Sequence, residues 1–208
     1  MRVKVCGITK SEDALMCDRY GADALGFIFY PGSKRYISPS KACDMIKHLS
    51  PFIMKIGVFV NEDPDHINTL ASQIGLNCIQ LHGEEPSHFV QKINLPVIKS
   101  FRIGSHFDYT ILKRYKGCSF LLDSYSADGY GGTGQSFDWG GIPMELRQQI
   151  ILAGGISVYN IEEIFKRIKP EAVDISSSLE LHPGKKDTLK IKEFFNIFNS
   201  LKMEYRGK

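Results

Sequence analysis

No stretch of this sequence is apolar for long enough to cross a bilayer. Its longest runs, such as residues 150–153, fall far short of the roughly 20 residues a spanning helix needs. The opening Met1-Arg2-Val3-Lys4-Val5-Cys6 lacks the apolar core of a secretory signal, so the chain is expected to stay in the cytoplasm, with no membrane partner. Charge of one sign is also scarce. Basic residues number 26 against 23 acidic ones, a net of +3, and they are scattered rather than striped, so no nucleic-acid surface is expected. The five cysteines, Cys6, Cys17, Cys43, Cys78 and Cys118, are odd in number and form no CxxC or Cys/His cluster. That argues against a disulfide framework and a zinc site, and for a reducing compartment. Neither GxGxxG after the first apolar run nor GxxxxGK[ST] anywhere is present, which removes the common nucleotide loops. What remains is 43% apolar and 24% charged over 208 residues, the balance and length of one globular domain.

Eight short β-rich apolar runs recur along the chain, at residues 3–6, 24–29, 55–60, 78–81, 97–101, 119–123, 150–153 and 172–175. Their starts lie about 24 residues apart, the length of a compact strand-plus-helix unit. The segments between them read as helices: 11–20, 39–49, 64–74, 86–93, 107–115, 144–149 (the weakest pattern), 160–168 and 187–201. Ser11-Glu12-Asp13 supplies an N-terminal signature and Gly21 a stop. Pro39 sits just inside a start, where its missing N–H costs nothing. The runs are apolar at consecutive positions, as in strands buried on both faces. Eight such units predict an α/β fold with a parallel sheet: a single-domain (β/α)8 TIM barrel over residues 1–202, followed by a polar tail over 203–208. An open, doubly wound sheet is the alternative.

In a parallel α/β barrel the chemistry sits at the C-terminal ends of the strands. Run one ends in Cys6, with Gly7 opening the backbone beside it. Run six ends in Asp123, a carboxylate after two leucines, which is costly there unless paired or neutralised. Asp174, one residue inside the end of run eight, reads as a structural hydrogen-bonding group. Gly154 and Gly155 after run seven let backbone approach a ligand, and Ser176, Ser177 and Ser178 after run eight offer hydroxyls and amides. A short helical turn there would add its positive end, and these two loops are where such barrels hold phosphate. A tight turn and a helix cap are the bland readings of the same residues. His82, ending run four, is an acid–base group or a core or substrate-stacking histidine. The other five histidines read as surface residues. Arg35, in a turn after run two, is either a solvated charge or a bidentate carboxylate grip. The four cysteines other than Cys6 read as small buried hydrophobes.

Taken in order, several motifs resemble the phosphoribosylanthranilate isomerases of tryptophan biosynthesis. They are VKVCGIT at 3–9, GFIF at 26–29, SKRYIS at 33–38, GVFVN at 57–61, QLHG at 80–83 and LLD at 121–123. GGTG at 131–134, FDW at 137–139, LAGG at 152–155, VDISS at 173–177 and PGKKD at 183–187 follow. The resemblance implies a barrel without cofactor or metal and with no obligate protein partner. Its substrate would be the small molecule N-(5-phosphoribosyl)anthranilate, converted by an Amadori rearrangement. Cys6 would be the general base, Asp123 the general acid, and Arg35 the holder of the anthranilate carboxylate. The chemistry then asks for a raised pKa at Asp123 and surroundings that favour the Cys6 thiolate. The family has glycine where this chain has Ser178. That predicts either a strained loop or a serine hydroxyl that donates to phosphate in place of an amide. A phosphate-binding barrel without catalysis, and a related sugar-phosphate isomerase of histidine biosynthesis, are the competing readings. Cys6 in place of an aspartate weighs against the latter.

Overall fold

The computed structural model describes residues 1–124 and 138–205. Eight parallel strands close into a barrel in sequence order. They are β1 Arg2–Cys6, β2 Ala24–Ile28, β3 Met54–Phe59, β4 Cys78–Leu81, β5 Val97–Ile103, β6 Cys118–Ser124, β7 Ile150–Leu152 and β8 Ala172–Ile175. β8 pairs back onto β1, with Lys4 opposite Asp174 and Val5 opposite Ile175, so the sheet is not open.

The pleat explains why the strands read as continuous apolar runs. Alternate side chains point to opposite faces. One set, including Val3, Val5, Leu25, Phe27, Leu122 and Val173, meets the helices in the main core. The other faces the barrel axis, where Ala24, Ile56, Cys78, Ile98, Leu121 and Ala153 form a smaller cluster. Among these inward groups lies a buried ion pair, Lys4 Nζ to Asp174 Oδ2, at 2.8 Å.

The helices are α1 Ser11–Tyr20, α2 Pro39–Ile46, α3 Pro64–Ile74, α4 Met144–Arg147, α5 Ile161–Glu163 and α6 Thr188–Glu204. Gly21 and Gly75 end α1 and α3 in the left-handed conformation, and the Asp63 and Asp187 carboxylates cap α3 and α6. The Ser11 signature is not used as a cap: Lys10 holds that position without a side-chain bond. Asp13 instead accepts from the Lys186 amide and Lys185 Nζ.

The helices expected over 39–49 and 144–149 end early, at Ile46 and Arg147, and three further segments differ in type. Residues 86–93 and 107–115 shorten to 3-10 turns, Ser87–Lys92 and Tyr109–Arg114. Each turn buries a single side chain, Val90 or Leu112, so neither has the apolar face through which packing stabilises a longer α-helix. Residues 160–168 end in a π-turn over Ile164–Ile168, closed by the Lys169 amide on the Ile164 carbonyl. Pro170 follows and disfavours αR at Lys169, which turns left-handed at φ 52°. α6 runs two residues into the expected tail, to Glu204. A hairpin that sequence reasoning missed, β9 Glu180–His182 with β10 Lys185–Lys186, follows β8. The glycine-rich stretch 129–134 expected after β6 lies outside the described residues.

Candidate active site

Cys6 ends β1 on the same inward face as Lys4, two residues earlier. Its neighbour across the sheet is Gly26, where a Cβ would lie 2.7 Å from the Cys6 Sγ and 3.1 Å from the Lys4 Nζ. The bare glycine therefore makes room for the thiol, with the ammonium close by. Burial raises the Cys6 thiol above its usual pKa, and the cations of Lys4 and Lys186 pull it down without prevailing. The expectation that the surroundings favour thiolate is corrected here: in the free protein desolvation wins.

Asp123 lies near the end of β6, three strands round the barrel from Cys6. Burial, then the Asp174 carboxylate, push it up to about 6, against the amide of Ser124 at 2.8 Å from Oδ1. His82, after β4, brings Nε2 to 3.6 Å from Asp123 Oδ2. The Gln80 amide Nε2 stands 2.8 Å from His82 Nδ1. An amide nitrogen only donates, so Nδ1 accepts and the ring proton sits on Nε2, facing Asp123. Burial and the charges of Lys4, Lys99 and Arg102 lower the imidazole to about 3, so it is neutral and the contact is not an ion pair. The remaining histidines, His48, His66, His88, His106 and His182, are exposed, as expected.

The loops after β7 and β8 lie beside one another. Gly154 and Gly155 both have positive φ, 84° and 68°. A Cβ on Gly154 would sit 2.7 Å from the Ser124 amide nitrogen, so this glycine is required by packing against the end of β6. After β8 a 3-10 turn forms over Ser177–Leu179. The first amides of such a turn have no carbonyl partner within it. The Ser176 hydroxyl donates to the Cys6 carbonyl at 3.0 Å, and that of Ser178 to the Ile156 carbonyl at 2.6 Å. Ser178 has no positive φ; among the described non-glycine residues only Asn61 and Lys169 do. Both expectations for Ser178 are thus corrected: its backbone bears no left-handed strain, and its hydroxyl ties the two loops together.

Arg35 lies over the opening residues of the β1 loop. A Cβ on Gly7, whose φ is 77°, would meet the Arg35 Cδ at 2.5 Å. The guanidinium is not simply solvated. Its Nε and Nη2 grip Glu180 at 2.7 to 3.1 Å, which leaves Nη1 without a partner among the described residues.

A family model of N-(5'phosphoribosyl)anthranilate (PRA) isomerase matches residues 3–197. The chain belongs to this family. It is 42% identical to the N-(5'-phosphoribosyl)anthranilate isomerase of Pelobacter propionicus, over 98% of each chain. Its fold superposes on the phosphoribosyl anthranilate isomerase of Thermotoga maritima with a TM-score of 0.86 at 42% identity, covering 96% of this chain and 99% of that one. A second solved isomerase carries reduced 1-(o-carboxyphenylamino)-1-deoxyribulose 5-phosphate, with a TM-score of 0.83 and 40% identity over 96% and 99% of the two chains.

Against that family frame, the structure gathers Cys6, Asp123, His82 and the loops after β7 and β8 at one end of the barrel, with Arg35 over Gly7. Sequence reasoning quoted Lys4, Gly26, Gln80 and Lys186 within motifs without giving them a role, and passed over Glu180. Lys4 and Gln80 were legible, since each stands two residues from a singled-out side chain and so shares its face. The roles of Gly26, Glu180 and Lys186 carried no local signal, because their neighbours come from other strands and from the hairpin. No helix among the described residues is long and apolar enough to cross a membrane.

Proposed function

We propose that the chain catalyses the Amadori rearrangement of N-(5-phosphoribosyl)anthranilate to 1-(2-carboxyphenylamino)-1-deoxyribulose 5-phosphate. Asp123 is the general acid and Cys6 the general base. Asp123 protonates the furanose oxygen and the ring opens to a Schiff base. That Schiff base acidifies C2–H, and the Cys6 thiolate removes the proton to give an enolamine, which gains a proton at C1 and loses one from the C2 hydroxyl to become the ketone. The isomerisation is redox-neutral within the substrate, since C2 is oxidised as C1 is reduced, so the chemistry requires no redox cofactor. His82, neutral and with Nε2–H towards Asp123, stabilises the carboxylate left after proton donation. The amides of Gly155, Ser177 and Ser178 receive the phosphate, and Arg35 holds the anthranilate carboxylate.

The observation that carries this reading is that the barrel places Cys6, at the end of β1, and the buried Asp123, near the end of β6, at the same end, while burial raises Asp123 to about 6 and brings its protonated form closer to neutral pH than in an ordinary aspartate. The test mixes purified protein with freshly generated phosphoribosylanthranilate and follows the loss of its fluorescence. Cys6→Ala and Asp123→Asn should each lower kcat by roughly 100-fold or more, the usual scale of acid–base contributions. Activity within a factor of about three of wild type in either variant would sink the assignment, well below that scale. Cys17→Ser, Cys43→Ser and Cys118→Ser serve as controls.

A further inference from the structure

Glu180 and Lys186 have no part in the chemistry above, yet both are almost fully buried. Glu180 accepts from Arg35 Nε at 2.9 Å and Nη2 at 2.7 Å, from Lys186 Nζ at 3.0 Å and from the Gly184 amide at 3.3 Å. Lys186 Nζ also donates to the Cys6 carbonyl at 2.7 Å and the Ser176 carbonyl at 3.2 Å, which uses all three of its protons. One side chain therefore joins the end of β1, the start of the loop after β8 and the carboxylate that grips Arg35.

We propose that Glu180 is a positioning residue that aims the Arg35 guanidinium at the substrate carboxylate, with Lys186 fixing Glu180 to the strand end that carries Cys6. This deepens the reading above and rests on Arg35 as the carboxylate anchor. Three features point to it. A guanidinium held on one edge by a planar carboxylate keeps a defined orientation, with its Nη1 donors still available. Gly7 is bare where the Arg35 stem crosses, so the arginine is held directly beside the residue that follows Cys6. The trio Arg35, Lys186 and Glu180 also contains two cations and one anion, so a second carboxylate would balance its charge. The hairpin that supplies both residues is itself secured. Asp13 holds the Lys186 amide at 2.9 Å, and the Thr9 hydroxyl bonds the Gly184 carbonyl.

A purely structural role for Glu180 would weaken turnover of any substrate, whereas aiming Arg35 matters only when a carboxylate is present. Two substrates separate these roles: the condensation products of ribose 5-phosphate with anthranilate and with aniline, the second lacking the carboxylate. Turnover of both is followed by chromatography. Arg35→Ala should lower the ratio of kcat/KM values, carboxylated over uncarboxylated, by roughly 10- to 100-fold, the scale of a lost charge-assisted contact. Glu180→Gln should lower the same ratio by about tenfold, mainly through KM, because the amide keeps the size but not the charged grip. An unchanged ratio in Glu180→Gln, while Arg35→Ala discriminates, overturns the proposal and leaves the anchor reading standing. An unchanged ratio in both variants overturns the anchor reading itself. Should Glu180→Gln not fold, Glu180→Asp replaces it; it keeps the charge but withdraws it by one methylene, and the same carboxylate-selective loss is expected.

Discussion

At the scale of single residues, the proposed acid, Asp123, and the proposed base, Cys6, rest in the opposite protonation states from those the proposed mechanism needs. Burial lifts the Cys6 thiol above its ordinary value, and Asp123 stands at about 6. In the free protein at neutral pH the thiol is protonated and the carboxyl mostly ionised. The productive pair, thiolate with carboxylic acid, is a minor tautomer of the same singly protonated state. The kcat/KM profile should therefore be a bell whose acid limb lies near 6 and whose alkaline limb lies above the ordinary thiol value. Asp123→Asn should abolish the acid limb in whatever activity remains. A wild-type profile flat from pH 5 to 8 would contradict this placement. That Cys6 and Asp123 stand at strand ends was legible in the sequence, since each ends an apolar run. The direction of the Cys6 shift was not, because desolvation depends on what covers the thiol.

At the scale of elements, the strands were read almost to the residue, whereas the connections were not. A strand buried on both faces leaves a local signature of consecutive apolar residues. A six-residue connection leaves none that separates an α-helix from a 3-10 turn, and its choice falls to chain length and packing. The loops after β7 and β8 show the same division. The glycines and serines predicted a ligand-binding end, but gave no sign that Gly154 packs on Ser124 or that Ser178 bonds Ile156. Ser178→Gly removes that tie and frees the unfolded chain, so it should destabilise the protein by about 1–2 kcal/mol in urea denaturation. Stability equal to wild type would show that the serine hydroxyl holds nothing in place.

For the whole molecule, two buried groups at one end of the barrel set opposing slopes of stability against pH. His82 falls from 6.5 to about 3 on folding, so between these values the unfolded chain binds more protons and stability is lost as pH drops. Asp123 rises from 3.8 to about 6, so over that window the folded chain binds more protons and stability is lost as pH rises. His82→Gln should therefore make the protein relatively more stable at pH 4.5 than at pH 7.5, by about 1–3 kcal/mol compared with wild type. Thermal melts at the two pH values check this, and an identical pH dependence in variant and wild type would place His82 outside the buried network.

The sequence by itself determined the eight strands, most helix starts and the inward faces that carry Cys6 and Asp123. These follow from periodicity, capping residues and glycine stops, all of which act over a few residues. Closure of the barrel was suggested by the count of units and decided by the pairing of β8 with β1. Only the tertiary structure could join Arg35 to Glu180, 145 residues apart, or Lys186 to the Cys6 carbonyl, 180 residues apart. Such contacts, and the pKa shifts that burial imposes, depend on groups brought together from distant parts of the chain. No local pattern encodes the low-dielectric surroundings that those groups create for one another.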